Sequence, residues 1–393
     1  MSEQFSVDRI RLRHYRSIAA CDVRMGPLTV VVGPNGSGKS NFVDSLRFVS
    51  QALDENLDNA LRERGGSAEI RRRSTGHPTH FGIKLDFHTP TQSGEYAFQI
   101  AAVAGGDYRV SHESFQASTL EFGAEPATYE VRDGTVVSSS EAVLPRVSDD
   151  RLFLTAVSGL EKFRPAFDGL SGMNVHSLNP DSMRLPQKPD PGEFLVRDGS
   201  NVASVLENIR RTSPEVKTRI EQYLRNIVPG VESVARKSIG AWETLEFKQR
   251  VAGSPSPWTF QASSLSDGTL RALGVLVALF SAEGPFRSPV GIEEPETALH
   301  PAASGLLLEA LIAASKGRQV LATSHSPDLL DSPKLKAEHI LAVRADSGNT
   351  TIGRVDDAGA YALKDALFTA GELLRVDQLT PAVNAAQQLE LFS

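Results

Sequence analysis

The chain has 393 residues, 40% of them hydrophobic and 23% charged, with a formal net charge of −7. This length accommodates more than one domain-sized unit and a large core. The acidic balance excludes a surface that is basic throughout, though not a local basic groove. A single cysteine, Cys21, excludes an intrachain disulfide and a Cys-based zinc site and fits a reducing cytoplasm.

The N-terminus has no positive stretch followed by an apolar core, so no signal peptide is expected. The longest apolar run, residues 272–280, is too short to cross a bilayer, so no membrane domain is expected either. Residues 7–12, 20–25 and 28–32 read as strands, with Cys21 as a small core residue. The third, Leu28-Thr29-Val30-Val31-Val32, has the β-branched, apolar composition of a buried strand. It runs into Gly33-Pro34-Asn35-Gly36-Ser37-Gly38-Lys39-Ser40 and then Asn41, where apolar residues begin to recur at helical spacing. The eight residues are G-x-x-x-x-G-K-[ST], the phosphate-binding P-loop. Glycine lets the backbone approach phosphate oxygens and accept positive φ. The N–H groups of the loop and helix N-terminus then face the anion. Lys39 is expected to reach the β- and γ-phosphates, and the Ser40 hydroxyl to ligate Mg2+.

The helix fades near residue 56. Residues 62–73 carry Arg62, Arg64, Arg71, Arg72 and Arg73 around a Gly-Gly pair. They read either as a solvated loop or as a contact for a phosphate backbone. Between 81 and 137, short alternating segments separated by Gly, Asp and Pro predict an antiparallel meander. Short helices are expected at 151–157 and 162–170, and a long loop at 179–200. A helix at 202–209 precedes Ser213-Pro214-Glu215, which has an N-cap Ser and a first-position Pro and opens another helix to about 228. Two strands follow at 231–251. From 256 the pattern alternates: helix 270–281, strand 290–292, helix 302–315, strand 319–323, then Ser326-Pro327-Asp328 as a further N-cap. This is the grammar of a parallel α/β sheet. The P-loop strand is expected to share that sheet. The division expected is 1–90 for a first lobe with the P-loop, 91–255 for the meander and an inserted arm, 256–345 for a second lobe, and 346–393 for a C-terminal segment and tail.

Four further pieces complement the P-loop. The strand Val290-Gly291-Ile292 ends in Glu293-Glu294-Pro295. Mg2+ takes one or two carboxylates with water and phosphate; Glu293 is the candidate for that shell, and Glu294 for the base that orients an attacking water. Leu265-Ser266-Asp267-Gly268-Thr269 opens an apolar helix, either as an ordinary cap or as an anion-binding end. Thr323-Ser324-His325-Ser326-Pro327 places a histidine at a strand end, where it fits a γ-phosphate sensor. Tyr15-Arg16 follows the first strand. Tyr15 either stacks on adenine or packs, and Arg16 either reaches phosphate or faces water.

In this order the P-loop, Leu-Ser-x-Gly, Glu-Glu-Pro-Glu-x-x-Leu-His-Pro and Thr-Ser-His-Ser-Pro motifs resemble the ABC-type ATPase heads of the RecF, SMC and OLD group. The likeness is strongest to short bacterial RecF-like predicted ATPases without a long coiled coil. It rests on residues 5–50 and 260–332. The resemblance implies a P-loop NTPase fold, ATP and Mg2+ as ligands, and two heads that sandwich two ATP molecules. Each site would combine Gly36, Lys39, Ser40, Glu293, Glu294 and His325 of one chain with Ser266 and Gly268 of the other. ATP would then join the homodimer and hydrolysis release it.

Three departures stand out. Glu293 replaces the Asp of many relatives, the signature ends in Asp-Gly-Thr, and His300 stands where transporter heads have Asp. A glutamine loop is not located; Gln92 and Gln99 are the candidates. The stretch after His325 is short, so no TOPRIM-type nuclease domain is expected there. The tail Gln388-Leu389-Glu390-Leu391-Phe392 is similar to the peptide that replication and repair proteins dock on the sliding clamp, but also fits a segment folded back on its own domain. The expected function is an ATP-hydrolysing dimeric switch in the cytoplasm, acting in DNA repair or anti-phage defence, with DNA or a separately encoded effector as partner. The alternatives are a sensor that restrains a toxin or nuclease without touching DNA, the ATP-binding subunit of a transporter, and a nucleotide-binding scaffold without turnover.

Overall fold

The computed structural model describes residues 4–72, 78–103, 107–119, 123, 125–148, 150–281, 286–382 and 391. Strands β1 (Ser6–Tyr15), β2 (Ile18–Arg24) and β3 (Leu28–Val32) lead into helix α1 (Lys39–Asp54). Two short helices follow, α2 (Leu57–Arg62) and α3 (Ser67–Ile70). Within the arginine stretch only Arg62 and residues 67–70 are helical; Arg64, Arg71 and Arg72 lie outside the helices. Asn56 starts α2 by accepting the Asn59 N–H, and Gly65 and Gly66, at φ 84° and 94°, separate the two helices.

The meander consists of β4 (His80–His88), β5 (Gln92–Ala102), β6 (Tyr108–Thr119), β7 (Ala127–Arg132) and β8 (Thr135–Ser139). Helices α4 (Phe153–Val157) and α5 (Arg164–Ser171) precede a three-residue strand, β9 (Asn174–His176). The stretch expected to be a loop contains α6 (Pro180–Arg184), capped by the Asn179 side chain. Helices α7 (Val202–Thr212) and α8 (Pro214–Ile227) lead to a small antiparallel sheet of β10 (Val231–Ile239), β11 (Trp242–Gln249) and β12 (Trp258–Gln261). Pro214 opens α8 as expected, but the Ser213 side chain makes no capping bond.

The second half then alternates. Its elements are α9 (Asp267–Phe280), β13 (Val290–Glu293), α10 (Ser304–Ser315), β14 (Val320–Ser324), α11 (Pro327–Leu330), β15 (Ile340–Asp346), β16 (Asn349–Arg354), α12 (Asp357–Lys364) and α13 (Ala370–Arg375). Ser326 precedes α11 without a side-chain capping bond.

The principal sheet has the order β8-β7-β6-β5-β4-β1-β2-β16-β15-β3-β14-β13-β9. The run β15, β3, β14, β13, β9 is parallel, and the meander continues the same sheet antiparallel from β1. The boundary expected at 90/91 thus falls between two paired strands, β4 and β5. The meander extends the sheet instead of forming part of a separate insertion.

Strand β3 is buried along its whole length because its side chains serve two cores in alternation. Val31 joins a cluster with α1, α5 and the meander, while Val30 and Val32 join a second with α7 to α10. The first cluster is rich in rings, including Tyr15, Phe48, Phe81, Phe98, Phe115, Tyr129 and Phe163; the second is mostly Leu, Val, Ile and Ala. Cys21 is a buried member of the first. Among the described residues, no helix is long and apolar enough to cross a membrane.

Candidate functional site

β3, β14 and β13 are adjacent and parallel, so their carboxyl ends meet along one edge. In open α/β sheets that edge is where ligands bind. β3 delivers the glycine loop, β13 delivers Glu293 and Glu294, and β14 delivers His325. The sequence motifs are far apart in the chain and brought together only by this strand order.

Contacts that only glycine permits shape the loop. A Cβ on Gly33 would run into the Val343 carbonyl, and one on Gly38 into the Thr350 side chain. Gly36 and Gly38 have φ of 76° and 102°, and the space beside Gly36 is open. Gly38 precedes α1 without any side-chain cap, so the first-turn N–H groups have no intrahelical partner. The Ser37 hydroxyl is buried and unpartnered among the described residues. These orphan donors in a tight cradle fit an anion. Pro34, Asn35, Gly36 and Ser40 are exposed, Gly33, Ser37 and Lys39 are buried, and Asn41 is half-buried.

Lys39 Nζ donates to the carbonyl oxygens of Gly33 and Pro34 at 2.8 and 3.0 Å. Burial lowers its pKa, while the charges of Glu294 and Glu296 pull it back up. The ammonium therefore senses the acids two strands away.

The acid end has its own geometry. Glu294 has φ 46°, an uncommon value for a non-glycine residue. This left-handed residue breaks the alternation of β13. Glu294 Oε1 lies 3.0 Å from His325 Nδ1. The Glu294 N–H also donates to the Thr323 carbonyl and hydroxyl, at 3.2 and 3.0 Å, lacing the two strand ends together. Glu293 accepts from Arg197 at 3.2 Å.

Ser266 caps α9, accepting the Thr269 N–H at 3.3 Å, and is exposed. Gly268 packs so closely on the loop after β13 that a Cβ would meet the Ala298 carbonyl. Among the described residues, neither hydrogen-bonds to the glycine loop of its own chain. His300 accepts the Ala302 N–H at 3.2 Å and is exposed.

Several expectations are corrected. Tyr15 is 0% exposed, packs edge-on against Phe48 and Phe81, and donates to Asp44 at 2.8 Å; it is a core residue and cannot stack on a base. Arg16 pairs with the same Asp44 at 3.2 Å. Of the arginine cluster, Arg64 is buried and bonded to Asp44, while Arg72 donates to the Ser17 carbonyl and Asn349. Arg62 pairs with Asp58, and Arg73 lies outside the described residues. Arg64 and Arg72 thus serve the inside of the fold, while Arg62 stays exposed. Gln92 and Gln99 both lie on β5, separated from β3 by five strands, with side chains bonded to Lys162 and Ser111, so neither belongs to the site. Of the tail peptide only Leu391 is described. It is buried, and a Cβ on Gly82 would collide with it, so this anchor is folded back on β4. The rest of the peptide lies outside the described residues.

The sequence reading missed three side chains. Thr350 donates to the Ser37 carbonyl at 2.9 Å and lies 2.7 Å from the Ser17 hydroxyl, which accepts from Asn41 at 2.7 Å. Thr350 is 313 residues from Ser37, so no local signal could reveal it. Arg271 donates to the Glu293 and Glu294 carbonyls at 3.0 and 2.9 Å. Its position one turn after Asp267 on the signature helix was the available hint. Glu296, the third acid of the Glu-Glu-Pro-Glu run, was also visible.

The protein family described as "AAA domain, putative AbiEii toxin, Type IV TA system" matches residues 28–118 and 213–331, more than half of the chain. The OLD nuclease of Thermus scotoductus is 25% identical over 360 residues, covering 84% of this chain and 60% of that protein. The DNA replication and repair protein RecF of Magnetococcus marinus is 30% identical over 96 residues, covering 24% of this chain and 25% of that protein. The chain thus spans 60% or less of the length of these two curated relatives. Among solved structures, an SMC head bound to the C-terminal winged-helix domain of ScpA superimposes with a TM-score of 0.56 at 13% identity, over 90% of this chain and 99% of that one. An SMC head with an extended coiled coil, from Pyrococcus furiosus, gives 0.54 at 12% identity, over 92% and 99%. The chain belongs to this AAA-domain family and has the ABC-type ATPase head fold of the RecF, SMC and OLD group.

Proposed function

We propose that the chain binds ATP with Mg2+, hydrolyses it to ADP and phosphate, and works as a pair of heads joined by the nucleotide. In this reading Gly33 to Asn41 hold the triphosphate, and Lys39 leaves the carbonyls of Gly33 and Pro34 for the β- and γ-phosphates. Ser40 and Glu293 would hold Mg2+, which neutralises charge on the transferring phosphoryl group. Glu294 accepts a proton from the attacking water and His325 keeps the Glu294 carboxylate in place while contacting the γ-phosphate end. Exposed Ser266 and half-buried Gly268, which do not serve their own glycine loop, complete the site of a second copy.

The observation that carries this reading is the Glu294–His325 pair, 3.0 Å apart, at the strand edge that also bears Lys39. Phosphate release by the purified chain with Mg2+ and ATP tests it. Glu294→Gln is expected to bind ATP and not turn it over, and to pair in solution when saturated. Unchanged turnover in that variant defeats the assignment of Glu294; a monomer at saturating ATP defeats the pairing.

The biological setting is a further step. The names of the relatives, a DNA replication and repair protein and a nuclease, support action on DNA. The internal use of Arg64 and Arg72 leaves only the other arginines of the cluster for direct DNA contact. The family description, which names a toxin of a toxin–antitoxin system, favours a second reading in which the head controls an effector protein. ATP turnover with and without duplex DNA at two salt concentrations separates the two, because phosphate contacts weaken with salt.

A further inference from the structure

Glu296 is the one acid of the Glu293-Glu294-Pro295-Glu296 run that the reading above leaves idle. The residue is 7% exposed. Oε1 accepts the Ser324 hydroxyl at 2.6 Å, while Oε2 is buried without a partner among the described residues. Burial raises its pKa, and the Ser324 bond and the charge of His325 only partly offset this. A buried carboxyl oxygen without a donor is costly and calls for a reason.

Two neighbours supply one. The Ser324 hydroxyl that donates to Glu296 also accepts the Ser326 N–H at 3.1 Å. Glu296 thereby grips the turn Ser324-His325-Ser326 from behind, on the strand end laced to Glu294. The second neighbour is Arg271 of α9. Its Nη2 holds the Glu293 and Glu294 carbonyls, its Nε is buried and unpartnered, and Glu296 is the carboxylate whose charge acts on it most strongly.

We propose that Glu296 is a positioning residue: through a charge-assisted hydrogen bond to Ser324 it sets His325 against Glu294. The proposal rests on the reading that Glu294 and His325 act on ATP.

Glu296→Gln keeps the shape and an oxygen for Ser324 but removes the charge. It is expected to lower ATP turnover about tenfold or more, with KM changed less than about threefold and nucleotide affinity retained, as for a residue that acts only on the chemical step. Combined with His325→Ala it should cost little beyond either change alone, because both act through one arrangement. A readout without turnover uses the nucleotide-free protein with labelled histidine, in which the His325 ring signals should shift in Glu296→Gln. Wild-type turnover in Glu296→Gln, or additive losses in the double variant, overturns the proposal. If the wild type releases no phosphate, the ATPase reading fails, and the His325 ring signals still decide the proposal: unmoved signals reject it.

Discussion

Asp44, on the helix after the glycine loop, draws Arg64, Arg16, Arg47 and the Tyr15 hydroxyl onto a single carboxylate. At the ends of β13 and β14 the proportions are reversed. There Glu293, Glu294 and Glu296 have one half-exposed arginine, one histidine and one serine between them, and Arg271 spends its bonds on backbone carbonyls. The two clusters flank the same glycine loop. In the first the buried Arg64 is committed to Asp44, and the partly exposed Arg16 and Arg47 add their charges to it. In the second the carboxylates keep unsatisfied capacity, which suits a site that must accept a metal ion, a water and a phosphate end. Crowding of charge near a P-loop is thus no guide to function; what matters is whether the charges are already spent.

The contrast can be broken by one change in each cluster. Glu294→Gln is expected to cut turnover by roughly 100- to 10,000-fold, the range for loss of a general base, while the urea midpoint stays near wild type. Asp44→Asn should do the reverse. Removing one partner of a buried ionic cluster costs about 3–5 kcal/mol, seen as a lower urea midpoint, with ATP affinity largely kept where the protein remains folded.

Asp44 also gives a pH signature. Burial by itself would raise its carboxyl pKa, but the Arg64 hydrogen bond and charge, the charge of Arg16 and the Tyr15 hydroxyl outweigh it and hold the pKa below the ordinary value. A group depressed in the folded state stabilises above its unfolded pKa and loses that contribution as pH falls through the folded value. The midpoint gap between wild type and Asp44→Asn should therefore narrow on acidification below about pH 4, near the unfolded aspartate pKa. A gap that widens there means Asp44 is not the buried anion described.

Smaller effects sharpen the boundary between the clusters. Thr350→Val keeps the shape but leaves the Ser37 carbonyl and the Ser17 hydroxyl short of a partner, at about 1–3 kcal/mol, read by denaturation together with a weaker ATP affinity. Arg62→Ala removes an exposed pair with Asp58 and should change stability by no more than about 0.5 kcal/mol. Loss of a DNA effect on turnover in that variant would restore a nucleic-acid role to the arginine stretch.

What the linear order of residues determined was local. The glycine loop, its flanking strand and helix, the cap at Ser266 and the paired acids after an apolar strand were all legible, because periodicity, turn chemistry and motif spacing act over a few residues. The three-residue β9 was not legible, since its pairing with β13 and not its own composition makes it a strand. For Tyr15 and Arg64 the sequence left a ligand contact open beside a plainer reading, and tertiary packing turned both toward Asp44. The fold likewise decided that β14 sits between β3 and β13, that Glu294 takes a left-handed turn toward His325, and that Thr350 closes the loop from the far end of the chain. Strand order and long-range side-chain partners depend on how the whole sheet buries its two faces, and no window of sequence contains that information.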